Sequence, residues 1–430
     1  MNSQTLPCIN LSSIPQFIDI INNNNDNNND NKDDSNILKV NKVYYNNKKY
    51  TVISYDKKSL TADLIHTYGL CRSVILNSNN EVVSFAPPKS VPLDEFISKN
   101  GQENKNIRAE EFVEGTMINV FWDSTVGENG SWEISTRNTV GAISSFYKKT
   151  ISYSFRSMFF EAAQENNLIL ENLNKSYCYS FVLQHPQNRI VVPFVRPNLY
   201  LVAIYHIVNS YVGNPIIYPA DVQEARNFDW NGATIKFPQI YEFDKYSDLI
   251  EKYASMNTSY DKVGVILYNV GTYDRCKIRN PIYEQVRILR GNQPKLEYQY
   301  LSLRKEGRVG EFLNFFPEHK KEFSSFRDKV HLFTQKLFSS YISCYIKKEK
   351  ALIEFSEKYR THMFNIHKQY LNELKENKMF VTNTVVIKYV NNLHPSLLMH
   401  CINYDMKKKN TCDFNEMDIC CDFNGMDISA

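Results

Sequence analysis

Between about Leu38 and Pro294 the apolar positions fall in short runs separated by turn residues: SVIL, EVVSFA, IVVPFV, LYLVAIYHIV and VGVILYNV. Runs of this kind, bounded by Gly, Pro, Asn and Asp, predict strands. One stretch, FYKKTISYSFRSMFFEAAQENN, predicts a helix starting near Phe146. After about Lys295 the period changes. Phe323, Phe326, Val330, Phe333, Leu337, Tyr341 and Cys344 recur at three- and four-residue spacing, one face of an amphipathic helix. A second stripe runs Leu352, Phe355, Tyr359, Met363, Ile366, Tyr370 and Leu374. Aromatics at this spacing are read as helix-packing core, not as cofactor contacts. The pattern predicts an α+β chain, with an antiparallel-β core over 38–294 and an all-helical domain over 295–405.

The ends read differently. The run NNNNDNNNDNKDDS at 22–35 cannot bury apolar surface, so residues 1–37 are expected to form a disordered Asn-rich segment. Residues 406–430 read as a flexible tail in which CDFNEMDIC is followed by CDFNGMDIS. Two units are too few for a solenoid.

Composition narrows the class without naming a partner. The hydrophobic share of 43% and aromatic share of 13% suit a globular core, and 430 residues suit two domains. A net charge of +3 points to no ligand, so a phosphate or nucleic-acid site must be a local concentration of Lys and Arg. The nine cysteines form no C-x-x-C pair, which argues against zinc ribbons and dithiol redox chemistry and suits reduced thiols. There is no basic, then apolar, leader at the N-terminus and no run near the ~20 apolar residues a membrane helix needs. A cytoplasmic protein with no membrane partner is expected.

Four segments carry the chemistry: CRSVILNSNNEVVSFAPPKS, EFVEGTMINVFWDSTVGENGSWEISTRNTVGA, YSFVLQHPQNRIVVPF and VGVILYNVGTYDRCKIRN. In this order they resemble the bacteriophage-type RNA ligases of the covalent nucleotidyltransferase superfamily, over about residues 70–290. The resemblance implies an antiparallel-β nucleotidyltransferase core in which a lysine amine attacks the α-phosphate of ATP. It passes AMP to an RNA 5′-phosphate, while carboxylates hold Mg²⁺ and the ribose. It also implies roles. Arg72 falls at a nucleotide-contacting arginine, Lys89 at a turn lysine, and Glu114-Gly115 at the acid–glycine half of the nucleophile motif. Arg137 falls at a second basic group near the nucleotide, and Lys277 and Arg279 at the closing basic pair.

Three positions depart from the family. Phe112 stands where the nucleophilic lysine belongs, Val182 where a metal or ribose glutamate belongs, and Val263 where a second glutamate precedes Gly264. No lysine lies between Lys105 and Lys148, so a shifted alignment does not restore the nucleophile. Neither Phe nor Val offers oxygen to Mg²⁺, a hard cation. Residues two apart on a strand share a face, so Asp261 and Gln184 are the substitutes for the lost carboxylates, with Asp261 the candidate metal ligand. Lys89 is the candidate relocated amine. The resemblance thus implies ATP as the cofactor and leaves Mg²⁺ without its usual donors.

Beyond the core, Arg287, Arg290 and Lys295 join Arg304, Lys305 and Arg308, interleaved with Tyr283, Tyr298 and Tyr300. Charge with aromatic interleaving suits single-stranded RNA, and equally a solvated helix face. Three functions stay open. They are an RNA-ligase-like protein binding an adenine nucleotide or RNA phosphate end without joining strands, an active ATP-dependent RNA ligase with a nonstandard nucleophile, and a structural subunit of an RNA-repair or RNA-processing complex.

Overall fold

The computed structural model describes residues 8–23, 37–101, 106–144, 153–209, 214–293 and 295–406. Two compact units meet between Leu289 and Arg290, slightly before the boundary expected from the sequence. In the first unit the strands are β1 (Ile9–Asn10), β2 (Leu38–Tyr45), β3 (Lys48–Tyr55), β4 (Val74–Leu76), β5 (Val82–Phe85), β6 (Ile107–Glu111) and β7 (Thr116–Asp123). They continue with β8 (Ser131–Ser135), β9 (Tyr177–Gln184), β10 (Asn198–Asn209), β11 (Pro215–Ala220), β12 (Ile240–Tyr241), β13 (Gly264–Asn269) and β14 (Arg275–Arg279). They form three sheets, ordered β1-β11-β10-β9-β7-β8, β2-β3-β4-β5 and β12-β6-β13-β14. Each pairing of named strands is antiparallel. The unit is α+β, as the hydrophobic pattern predicts.

Alternation along the strands decides what each face covers. On the six-stranded sheet, Ile118, Val120, Phe181, Leu183, Leu199 and Leu201 pack with Phe155, Met158, Phe159 and Ala162 of the helix Phe155–Glu165. Cys178, Ala203, Tyr205 and Ile217 pack instead with Tyr50, Val52, Val74, Ile75 and Leu76 of the β2–β5 sheet. In the third sheet Ala109, Val265, Leu267 and Cys276 pack on Phe96, Tyr246 and Leu249. The last three belong to the helices Leu93–Asn100 and Tyr246–Tyr253. The residues between them therefore face the other way.

Three expectations need correction. Residues 1–37 are not disordered throughout: β1 pairs with β11, and Leu11, Ile14, Phe17 and Ile21 are buried in the core shared with β2–β5. Their three- and four-residue spacing within the helix Phe17–Asn23 and the turn before it is an apolar stripe hidden beside the Asn-rich run. Residues 24–36 lie outside the described residues. The run IVVPFV is a loop, not a strand: Val191 and Val192 give their N–H groups to the Glu114 carboxylate, and Val195 is exposed. The predicted start of a helix near Phe146 lies outside the described residues; the described helix begins at Phe155, where Ser154 accepts from Ser157 N.

The second unit is helical from Leu296–Glu306 to Pro395–Ile402. Its longest helix, Lys320–Tyr341, buries Phe323, Val330, Phe333, Leu337 and Tyr341, the stripe read from the sequence. The second stripe is not one helix. Leu352 sits in a 3-10 turn, and extended backbone at Phe355 separates it from the helix Glu357–Gln369. In that helix Tyr359, Met363 and Ile366 are buried, together with His362, which meets the Tyr389 hydroxyl at 2.9 Å and Cys401 Sγ at 3.1 Å. The duplicated tail lies outside the described residues. Among the described residues no helix is long and apolar enough to cross a membrane.

Candidate anion-binding cleft

The outward face of the third sheet builds the site. β13 pairs Gly264 with Arg279 and Ile266 with Lys277. Phe112, one residue past β6, donates its N–H to Gly264 O at 3.3 Å. Phe112, Gly264 and Arg279 therefore form one row. The ring centroid lies 4.8 Å from Lys277 Nζ and 5.6 Å from Arg279 Cζ. Such contacts contribute about 0.5–1 kcal/mol when exposed and about 2 when desolvated. Gly264 is required here: its φ is +134°, and a Cβ would stand 2.0 Å from Ile278 O.

Beside this row is a cleft of about 600 Å³, lined by Tyr55, Lys57, Leu60, Ile65, Arg72, Lys89, Ser90, Val91, Pro92, Arg137, Lys277 and Arg279. The volume falls in the ~300–1,000 Å³ range of small-molecule sites. Six of the lining residues are cationic and none is acidic. Backbone bonds fix the loops that carry them. Lys89 N donates to Gly69 O at 2.9 Å and Val91 N to Arg275 O at 3.0 Å, tying the Pro-x-Lys turn to β14. Arg137 projects from a turn closed by Thr136 N donating to Thr139 O, gives its Nε to Arg72 O at 3.4 Å, and lies 4.9 Å from the Tyr55 ring centroid.

The cations oppose one another. Arg72 is pushed down to about 10, first by desolvation and then by Arg275, with Arg137 adding to it. The half-buried Lys277 is held well below the ordinary lysine range by desolvation, then by Arg275, Arg72, Arg279 and Lys89. Lys57 is lowered first by Arg137, then by burial and Arg72. Arg279 alone of the lining cations has a carboxylate, Glu284 at 2.9 Å, among the described residues. Ser90 Oγ is buried with no hydrogen-bond partner. Cations without counter-charge and a buried hydroxyl without a partner are the marks of a site completed by a bound anion.

Five residues named from the sequence thus share the cleft: Arg72, Lys89, Arg137, Lys277 and Arg279. Glu114 and Gly115 do not line it. The Glu114 side chain is buried and accepts from Val191 N at 2.6 Å and Val192 N at 3.1 Å, so its carboxylate is committed to the loop after β9. Gly115 has φ +146°, and a Cβ there would stand 2.5 Å from Leu183 O. Asn188 of the same loop gives Nδ2 to Thr116 Oγ1 at 2.8 Å. Both halves of the Pro-x-Asn-Arg motif and the Glu-Gly turn therefore serve to join β7 to the loop.

The donors left in place do not fit Mg²⁺. Val182 and Val263 are buried and offer no oxygen, and Gln184 is buried, gives Nε2 to Glu114 O at 3.0 Å and does not line the cleft. Asp261 is exposed and does not line the cleft. Among the described residues no three His, Cys, Asp or Glu side chains gather at one point. Of the basic segment, Arg287 is exposed and paired with Glu284 at 2.6 Å, and Lys295 is exposed. Arg290 is 5% exposed and Tyr283 and Tyr300 are 4% exposed, so these three are packing residues and not a surface for RNA. Lys57, Ser90 and Arg275 escaped the sequence reading. Arg275 had a signal, being two residues before Lys277 on the same strand face.

An RNA ligase of Rhodothermus phage RM378 is 25% identical to the chain over 207 residues, 42% of this chain and 45% of the phage protein. The chain is similar to RNA ligases. It thus spans less than half of the phage RNA ligase it matches. An immediate-early protein ICP-46 homolog of Invertebrate iridescent virus 6 is 23% identical over 325 residues, 70% of this RNA-ligase-like chain and 68% of that protein. A Naegleria gruberi RNA ligase solved with ATP and manganese shares 14% identity at a TM-score of 0.33, over 45% of this chain and 54% of that one. No protein-family model matches.

Proposed function

We propose that this RNA-ligase-like chain binds the phosphates of an adenine nucleotide or of an RNA end in the cleft, and that it lacks the usual lysine for joining strands. The observation that carries this reading is the cleft itself, with six lining cations, no lining acid and an unpartnered Ser90 hydroxyl. Leu60, Ile65, Val91 and Pro92 give it an apolar flank that suits a base or sugar. The phage relative, an RNA ligase by name, supports RNA as a ligand class. Phe112 in the nucleophile's seat, and Val182 and Val263 in the carboxylates' seats, support binding without the family's metal-assisted chemistry.

Calorimetry with ATP and with 5′-phosphorylated RNA tests the reading. Binding is expected to weaken with salt, because phosphate contacts release counterions. It is expected to weaken also in Arg137→Ala and Lys277→Ala. Unchanged affinity in both variants would put the ligand elsewhere. Exposed Arg287 and Lys295 are the remaining candidates for contacts to the RNA backbone, to be read from the salt slope of their Ala variants.

A further inference from the structure

Lys277 brings an amine back to the place from which Phe112 removed one. Its Nζ stands 4.8 Å from the centroid of the Phe112 ring, reaching it from β14, where Lys277 pairs with Ile266. Among the described residues its Nζ forms no ion pair and no hydrogen bond, so the Phe112 ring is its one stabilising contact. The groups that face it are Arg72, Lys89, Arg275 and Arg279, all positive, with the Phe112 ring on one side. Their repulsion and the loss of water favour the neutral amine, the form with a lone pair to donate. Lys89, the amine singled out from the sequence, is exposed at the rim.

We infer that Lys277 is the relocated nucleophile of this chain and takes the nucleotidyl group of ATP onto its Nζ. The inference rests on the phosphate-binding reading above. In the step, the Nζ lone pair forms a bond to the α-phosphorus. The bond from that phosphorus to the oxygen bridging to the β-phosphate breaks, and pyrophosphate leaves with its electron pair. The proton released from the nitrogen passes to water. Arg72, Lys89, Arg137 and Arg279 line the same cleft and offset the charge that grows on the departing pyrophosphate.

The test uses the full chain and ATP labelled at the α-phosphate, with and without added Mg²⁺ or Mn²⁺. The expected result is an acid-labile, base-stable label that maps to the peptide holding Lys277. The label should be lost in Lys277→Arg, which keeps the charge and removes the amine, and should persist in Lys295→Arg, outside the cleft. A second probe needs no variant. Pyridoxal 5′-phosphate, a phosphate-bearing aldehyde, should form an imine at Lys277 that borohydride fixes, and ATP should protect against it. Label on another lysine overturns the inference. So does a chain that binds ATP but takes no label, which leaves the binding reading standing. A chain that binds neither ATP nor phosphorylated RNA overturns both.

Discussion

Two neighbouring parts of the first unit treat their charges in opposite ways. At the β7 end, Glu114 is buried, yet its carboxylate accepts from two backbone N–H groups and its place is fixed by Gly115 against Leu183. In the cleft, Lys57, Arg72, Lys89, Arg137 and Lys277 have no carboxylate partner among the described residues, and Lys277 and Arg72 are both driven down by desolvation and then by Arg275. Lys57 apart, both sets fall in the segments that resemble RNA ligases. The difference separates a satisfied charge, which holds the fold, from unsatisfied ones, which the proposed function assigns to a ligand.

The comparison breaks if Glu114 proves dispensable. Glu114→Ala strips two buried N–H groups of their acceptor, so a loss of roughly 3 kcal/mol is expected by urea unfolding. Glu114→Gln keeps one acceptor oxygen and should lose less. In the cleft the sign reverses. Arg72→Met with Lys277→Met should weaken ATP binding by about 1.5–3 kcal/mol per lost charged contact, read by calorimetry, without a matching loss of stability. Lys277→Met alone relieves repulsion and should stabilise the unliganded chain by about 0.5–1 kcal/mol, read as a higher Tm.

The smallest effect is in pH. The Lys277 amine holds its proton less tightly folded than unfolded, because its folded pKa lies well below 10.5. Between the two values the unfolded chain binds more protons, so stability should rise with pH across that window. Below the window both states are protonated, and the contribution stays at its unfavourable limit. Lys277→Met should flatten this part of the pH–stability curve.

Much of this was legible beforehand. Short apolar runs between turn residues predicted β10 and β13, and Arg72, Lys89, Arg137, Lys277 and Arg279, drawn from the ordered segments, line one cleft. Where tertiary partners decide, the sequence was silent. IVVPFV has strand composition, but Glu114 takes its N–H groups. Leu11 and Phe17 lie next to a polar tract, and only β11 gives β1 a partner. Arg290 reads as a surface cation, yet it is buried. Burial by distant chain leaves no local periodicity to detect.

The company kept by Phe112 has a consequence for substitution at that position. Its ring lies 4.8 Å from Lys277 Nζ and 5.6 Å from Arg279 Cζ. A lone Phe112→Lys change would bring a further ammonium among like charges while Val182 and Val263 still supply no counter-ion. An amine placed there is therefore expected to be tolerated only when an acid arrives with the base.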